Sequence, residues 1–280
     1  MKFLSYSISN KISYGVLIKD HVIDLGSRIP NSTLLSIISD GSLVKIQDQA
    51  LTYDPDFSVS EIQFHKPLLN GGRFICVGKN YKGHLAEANM KLPDFPSMFL
   101  RLDTSVVAHN ENLISPKVST HFDFEGELAI IIGKPGRHIK RADALSYIAG
   151  YSIFMDGSIR DFQFQHSLTA GKNFYATGSF GPYFVTSDEV GDPTQLDLKT
   201  RLNGIEVQHT KTDDLIFDIP CLIEYISSYT NLLPGDVIAT GTPEGVGFAR
   251  TPPLWMKAGD HLEVEISKLG TLSHLVIDEV

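Results

Sequence analysis

His121-Phe122-Asp123-Phe124-Glu125-Gly126-Glu127-Leu128-Ala129-Ile130-Ile131-Ile132 decides how this 280-residue chain is read. Side chains at i and i+2 of a strand share a face. A strand over Phe122–Gly133 therefore puts Asp123, Glu125 and Glu127 on one side and Phe122, Phe124 and Leu128 on the other. The acidic end runs straight into four apolar residues, which makes this a central strand. Carboxylates crowded on one partly buried face repel unless a positive charge meets them. Glu125 and Glu127, about 7 Å apart along a strand, can turn their long side chains onto one hard cation. An antiparallel strand facing water carries the same acidic alternation, so spacing alone leaves both readings open.

A third oxygen ligand would favour the cation. Asp156 ends the apolar run Tyr151-Ser152-Ile153-Phe154-Met155 with Gly157 behind it, a place for a ligand or for a turn-capping Asp. Carboxylate-only ligation suits Mg²⁺, with Mn²⁺ or Ca²⁺ as alternatives. No His/Cys cluster suggests zinc.

The rest of the chain reads as strand-rich. Lys2–Ser7, Ser13–Lys19 and His21–Leu25 are strands of a small N-terminal α/β domain over residues 1–60. A short helix carrying Leu34, Leu35 and Ile38 follows, capped by Asn31 or Ser32 and stopped by Gly41. Tyr53–Ser58 has turn chemistry and reads as a linker. Residues 70–280 form the second unit, with strands at Phe74–Val77 and Gly150–Asp156 and a short helix within Asn80–Asn89. Asn203-Gly204 is a two-residue hairpin signal. Ile219, Leu222, Ile223 and Ile226 recur at helical spacing behind Asp218 as N-cap. The fold class is mixed, β-rich α+β, not a regular βαβ array.

Composition excludes several functions. Twenty-four basic against 33 acidic residues give a net charge of −9, a poor match to nucleic-acid phosphates. No apolar run approaches the roughly 20 residues of a membrane span. The N-terminus turns polar too early for a signal peptide. Cys76 and Cys221 are far apart in apolar surroundings and read as reduced thiols. A cytoplasmic protein without nucleic-acid or membrane partners is expected. Gly171-Lys172 lacks the earlier glycine of a P-loop, and Gly241, Gly245 and Gly247 miss the dinucleotide spacing.

Other segments carry candidate chemistry. His84 and Glu87 lie three apart on the short helix and share a face, as a surface polar pair or as a general base with its positioner. Lys172, between small and aromatic residues, is a solvated lysine or an oxyanion holder. The run Thr240-Gly241-Thr242-Pro243-Glu244-Gly245-Val246-Gly247 is a turn, or a loop whose backbone N–H groups suit an anion.

Together these segments resemble the fumarylacetoacetate hydrolase family. Val77-Gly78-Lys79-Asn80-Tyr81, His84 and Glu87 come first, then Asp123-Phe124-Glu125, Glu127-Leu128-Ala129, Gly150-Tyr151, Asp156, Arg160-Asp161 and Gln163. Gly171-Lys172, Asn203-Gly204 and Pro234–Gly247 follow in the same order. The likeness covers residues 70–280. It implies a β-sandwich roll, a homodimer and a Mg²⁺ site with Glu125, Glu127 and Asp156 as ligands. It also implies His84 and Glu87 as a water-activating dyad on a lid, Lys172 beside the metal, and Gln163, Thr242 and Gly241 at the substrate. Met155 departs from the Asn that members often carry there. The implied activity is Mg-dependent C–C hydrolysis of a small anionic 2,4-dioxo acid, of acylpyruvate type, through a metal-bound pyruvate enolate. Isomerisation, tautomerisation or decarboxylation of a related 2-oxo acid such as oxaloacetate is the alternative, since fold does not choose among them.

Overall fold

The computed structural model describes residues 1–69 and 71–280. Its centre is a pair of antiparallel strands, Gly126–Ile132 and Ile148–Met155, in which every residue is buried. Leu128, Ile130 and Ile132 face one hydrophobic cluster, while Ala129 and Ile131 face a second. The apolar run is therefore a strand covered on both sides, as its composition requires.

Around this pair a twelve-stranded sheet assembles. On one side lie Val237–Ala239, then Phe74–Gly78 and the edge strand Ser97–Arg101. On the other lie Gly178–Thr186 and Lys2–Ile8. A five-stranded sheet, which includes Asp197–Leu202, Ile205–Lys211, His261–Ile266 and Gly270–Asp278, shares the first cluster with the helix Ile219–Tyr229. The mixed α+β class and the two layers follow the expectation from sequence. At the hairpin Asn203 and Gly204 both have positive φ, 53° and 77°, the backbone a two-residue type I′ turn demands.

The N-terminal strand Lys2–Ile8 pairs with Gly178–Thr186, so the first hairpins continue the large sheet. The expected linker contains a short strand. Phe57-Ser58 pairs with His21-Val22, and the Phe57 ring packs edge-on to Tyr6 at 5.5 Å. Thr33, not Asn31 or Ser32, caps the helix Leu34–Ser39, in a reciprocal capping box with Ser36. Cys76 and Cys221 are free thiols, Cys76 buried and Cys221 half-buried. Among the described residues no helix is long and apolar enough to cross a membrane.

The decisive stretch departs from one continuous strand. Phe122-Asp123 pairs with Ser158-Ile159, and the central strand starts afresh at Gly126. Asp123 is the cause. Its Oδ1 accepts from Phe124 N at 2.9 Å and from Gly247 N at 2.7 Å, which turns the backbone out of the ladder. Gly126 takes up the break, because a Cβ there would meet Thr200 Oγ1 at 2.3 Å.

Candidate functional site

The break separates the acids that simple alternation groups together. Asp123 bonds Arg160 Nε at 2.8 Å and belongs to the loop around Gly247. Glu125, Glu127 and Asp156 converge instead, each buried and each offering an oxygen within 4.8 Å of the others. Glu125 and Glu127 flank the start of the central strand. Asp156 follows the end of its neighbour, where Asp156 N donates to Glu125 O at 2.8 Å.

Basic side chains meet two of these acids. Lys172 Nζ lies 2.6 Å from both Glu125 Oε2 and Asp156 Oδ2. Arg160 donates to Glu125 Oε1 at 2.6 Å and Arg101 to Asp156 Oδ1 at 2.7 Å. Among the described residues Glu127 receives only the Gly241 N–H, at 2.8 Å. Burial would raise the Glu125 carboxyl, but Lys172 and Arg160 hold it down at about 2. Burial pushes Glu127 well up, and Asp156 and Glu125 add to the push. Burial would lower Lys172, yet Asp156 and Glu125 pull it upward.

These residues fit a divalent cation. The donor set is all oxygen, as Mg²⁺ or Mn²⁺ requires. The four buried acids Asp123, Glu125, Glu127 and Asp156 face three buried bases, Arg101, Arg160 and Lys172, so one carboxyl is in surplus and a cation would let it ionise. That surplus is Glu127, which has no basic partner among the described residues.

The second cluster is the helix Lys82–Glu87, where His84 Nδ1 and Glu87 Oε1 lie 3.0 Å apart. The other oxygen of Glu87 accepts from Gly245 N at 2.8 Å. The loop 240–247 thus spends three N–H groups on the protein's own carboxylates: Gly241 on Glu127, Gly245 on Glu87 and Gly247 on Asp123. Sequence reading offered those donors to a bound anion. Gly245 has φ +96° and its Cβ would meet Val207 O at 2.2 Å, so only glycine brings its N–H there.

His84, Glu125, Glu127, Gln163, Lys172 and Thr242 all border one cavity of about 50 Å³. Phe99, Phe164 and Phe248 form its apolar wall, with Arg160 4.5 Å above the Phe248 ring. Gln163 Oε1 accepts from Arg160 at 3.0 Å. The Thr242 hydroxyl donates to Gly126 O at 3.0 Å. Arg101 escaped the sequence reading. It is fully buried and bonds Asp156, Gly157 O, Ser105 and Thr177. Its one signal was an arginine closing the largely apolar strand Ser97–Arg101.

The family model described as "Fumarylacetoacetate (FAA) hydrolase C-terminal" matches residues 73–277. The chain belongs to the fumarylacetoacetate hydrolase family. It is 36% identical over 263 residues to a mitochondrial oxaloacetate tautomerase of Bos taurus, covering 91% of this chain and 84% of that protein. Two solved structures align along all of both chains. Maleylpyruvate hydrolase from Sphingobium sp. SYK-6, in complex with manganese(II) and pyruvate, has TM-score 0.84 at 26% identity. The 5-carboxymethyl-2-hydroxymuconate delta-isomerase of Mycobacterium smegmatis has TM-score 0.80 at 29% identity. Members of one family thus carry names of three outcomes, and all three named substrates are small oxo or hydroxy acids.

Proposed function

We propose that this chain is a divalent-cation-dependent tautomerase of a small 2-oxo diacid of the oxaloacetate type. The observation that carries the reading is one small cavity bordered by Glu125 and Glu127 of the carboxylate triad and by His84, whose Nδ1 lies 3.0 Å from Glu87 Oε1. The small size of that space, walled by Phe99, Phe164 and Phe248, favours a short acid over a long acyl chain. The likeness to oxaloacetate tautomerases over nine-tenths of the chain points the same way.

Glu125, Glu127 and Asp156 would hold the cation, with Mg²⁺ as the first choice. It would supply Lewis acidity toward the substrate's carboxylate and 2-oxo oxygens. Glu87 fixes the imidazole through Nδ1 and leaves Nε2 of His84 to exchange a proton with substrate carbon 3. In the enol-to-keto direction His84 delivers that proton while the enol oxygen releases its own to water. The Lys172 ammonium, held between Glu125 and Asp156, faces the charge that grows on the oxygen. The aromatic wall keeps bulk water from the proton transfer.

C–C hydrolysis is the second reading, favoured by the partly exposed Glu87, which water can reach beside the His84 imidazole, and by the maleylpyruvate hydrolase likeness. There His84 takes a proton from water, which attacks the 4-carbonyl. One panel separates the two. Enol-oxaloacetate absorbance should decay faster with enzyme and Mg²⁺, with neither CO₂ nor cleavage products formed. Release of a carboxylic acid and pyruvate from an acylpyruvate, without effect on the oxaloacetate enol, would replace tautomerisation by hydrolysis.

A further inference from the structure

Three permanently charged bases border the cavity: Lys79, Arg160 and Lys172. Two are already neutralised. Arg160 lies between Asp123 at 2.8 Å and Glu125 at 2.6 Å, and Lys172 lies between Glu125 and Asp156. Lys79 is exposed, and among the described residues no carboxylate lies within ion-pair distance of it. Lys79 therefore brings to the cavity a positive charge that no carboxylate of the described residues pairs.

The backbone at Lys79 is also unusual. Its φ is +60°, in the left-handed region that a residue with a Cβ occupies at a cost. The next residue fixes that conformation. Asn80 is fully buried, its Nδ2 donates to Phe217 O at 3.0 Å and Thr240 O at 2.8 Å, and its Oδ1 accepts from Phe217 N at 2.8 Å. Lys79 thus springs from a clamped turn between the strand Phe74–Gly78 and the helix that bears His84. Its root is held with the triad's side of the site. Glycine would suit this backbone better, so the side chain persists against a local conformational preference.

From this we infer that Lys79 is a specificity residue: it receives the distal carboxylate of a 2-oxo diacid whose 2-oxo acid head lies at the triad and Lys172. The inference rests on the 2-oxo acid reading above and extends it by naming what recognises the far end of the substrate. A diacid needs two separated receptors of positive charge; Lys79 supplies one, and a cation held by the triad would supply the other. A charge-assisted contact of this kind is strong enough to discriminate about tenfold. Because Lys79 is exposed, salt should weaken that discrimination.

The test compares wild type with Lys79→Met, Lys79→Gly and Lys79→Arg on two substrates with the same skeleton. Enol-oxaloacetate has the distal carboxylate, and its 4-ethyl ester lacks the charge. Oxalate, with Mg²⁺ present, probes the head-group site alone by calorimetry. The expected result is a drop of about tenfold in the diacid-to-ester ratio of kcat/KM for the Met and Gly variants. Lys79→Arg should retain most of the ratio, oxalate affinity should stay within twofold throughout, and Lys79→Gly should melt no lower than wild type. An unchanged ratio with intact oxalate binding would overturn the role of Lys79 and leave the 2-oxo acid reading standing. Equal losses on both substrates with a lower Tm would make Lys79 structural. If oxalate fails to bind wild type, the 2-oxo acid reading fails, and the role of Lys79 with it.

Discussion

Glu125 and Glu127 of the triad and His84 of the short helix border one cavity, yet the two clusters are built in opposite ways. Glu125, Glu127 and Asp156 are fixed at strand ends in the middle of the molecule, almost fully buried, with Arg101, Arg160 and Lys172 packed among them. His84 and Glu87 ride on six residues of helix with no side-chain N-cap. Glu87 reaches the rest of the site through one hydrogen bond to Gly245. A cation site needs fixed oxygens, whereas a proton-transfer group must let substrate in and product out. The binding half is held by many ion pairs, whereas the His84–Glu87 half is held by fewer polar contacts.

The contrast breaks most visibly at Asp156. Asp156→Ala leaves Arg101 and Lys172 without that carboxylate, and losing one partner of a buried pair costs about 3–5 kcal/mol. Thermal melts should register a large drop, and Mg²⁺ should bind no better than to denatured protein. A variant that melts like wild type and still binds Mg²⁺ would remove Asp156 from the site. His84→Gln should behave differently. Its rate should fall by about 10²–10⁴, the usual worth of a positioned general acid–base group, while Mg²⁺ affinity stays within about threefold. Parallel losses of rate and cation affinity would erase the distinction between the two halves.

Acid separates the site from a second buried network. His274 is held down at about 4 by burial, with Nδ1 on Glu111 O at 2.7 Å. Its folded pKa lies below the ordinary 6.5, so the unfolded chain binds the extra proton and stability falls as pH drops from about 6.5 toward 4. A displacement to about 4 makes this loss on the order of 3 kcal/mol. In chelated protein Glu125, held at about 2, loses its contribution only lower, as pH falls from the ordinary carboxylate value of 4.5 toward 2. Denaturant melts of His274→Gln should therefore show a flatter limb between pH 6.5 and 4, with the steep loss below pH 4 preserved. An unchanged upper limb would contradict the assignment. The smallest effect is expected farthest away. Thr33→Ala removes the cap of Leu34–Ser39 and should cost about 1 kcal/mol, with turnover unaltered. A change in KM there would mean that the N-terminal region reaches the site.

What was legible in the sequence follows the same division. The central strand, its neighbour and the hairpin at Asn203-Gly204 were readable because local pattern and tertiary role coincide there. The convergence of Glu125, Glu127 and Asp156 was readable as three acids beside apolar runs. The break at Phe124-Glu125 was not, because it is set by Gly247, 124 residues away from Asp123. Arg101 was missed for a related reason: its partners Asp156 and Thr177 are distant in sequence and nothing local marks it. The N–H groups of the 240–247 loop were recognised as anion donors, but their anions are side chains of three other segments. The expected linker at Tyr53–Ser58 was misjudged because its turn residues hide Phe57, which packs on Tyr6.

The most direct test of the central claim, that Glu125, Glu127 and Asp156 form a cation site at which a 2-oxo acid binds, is a calorimetric titration of oxalate into chelated protein and into Mg²⁺-loaded protein. Oxalate should bind only when Mg²⁺ is present, and by linkage it should tighten Mg²⁺ binding by the same factor. Equal oxalate affinity with and without the cation would contradict the account.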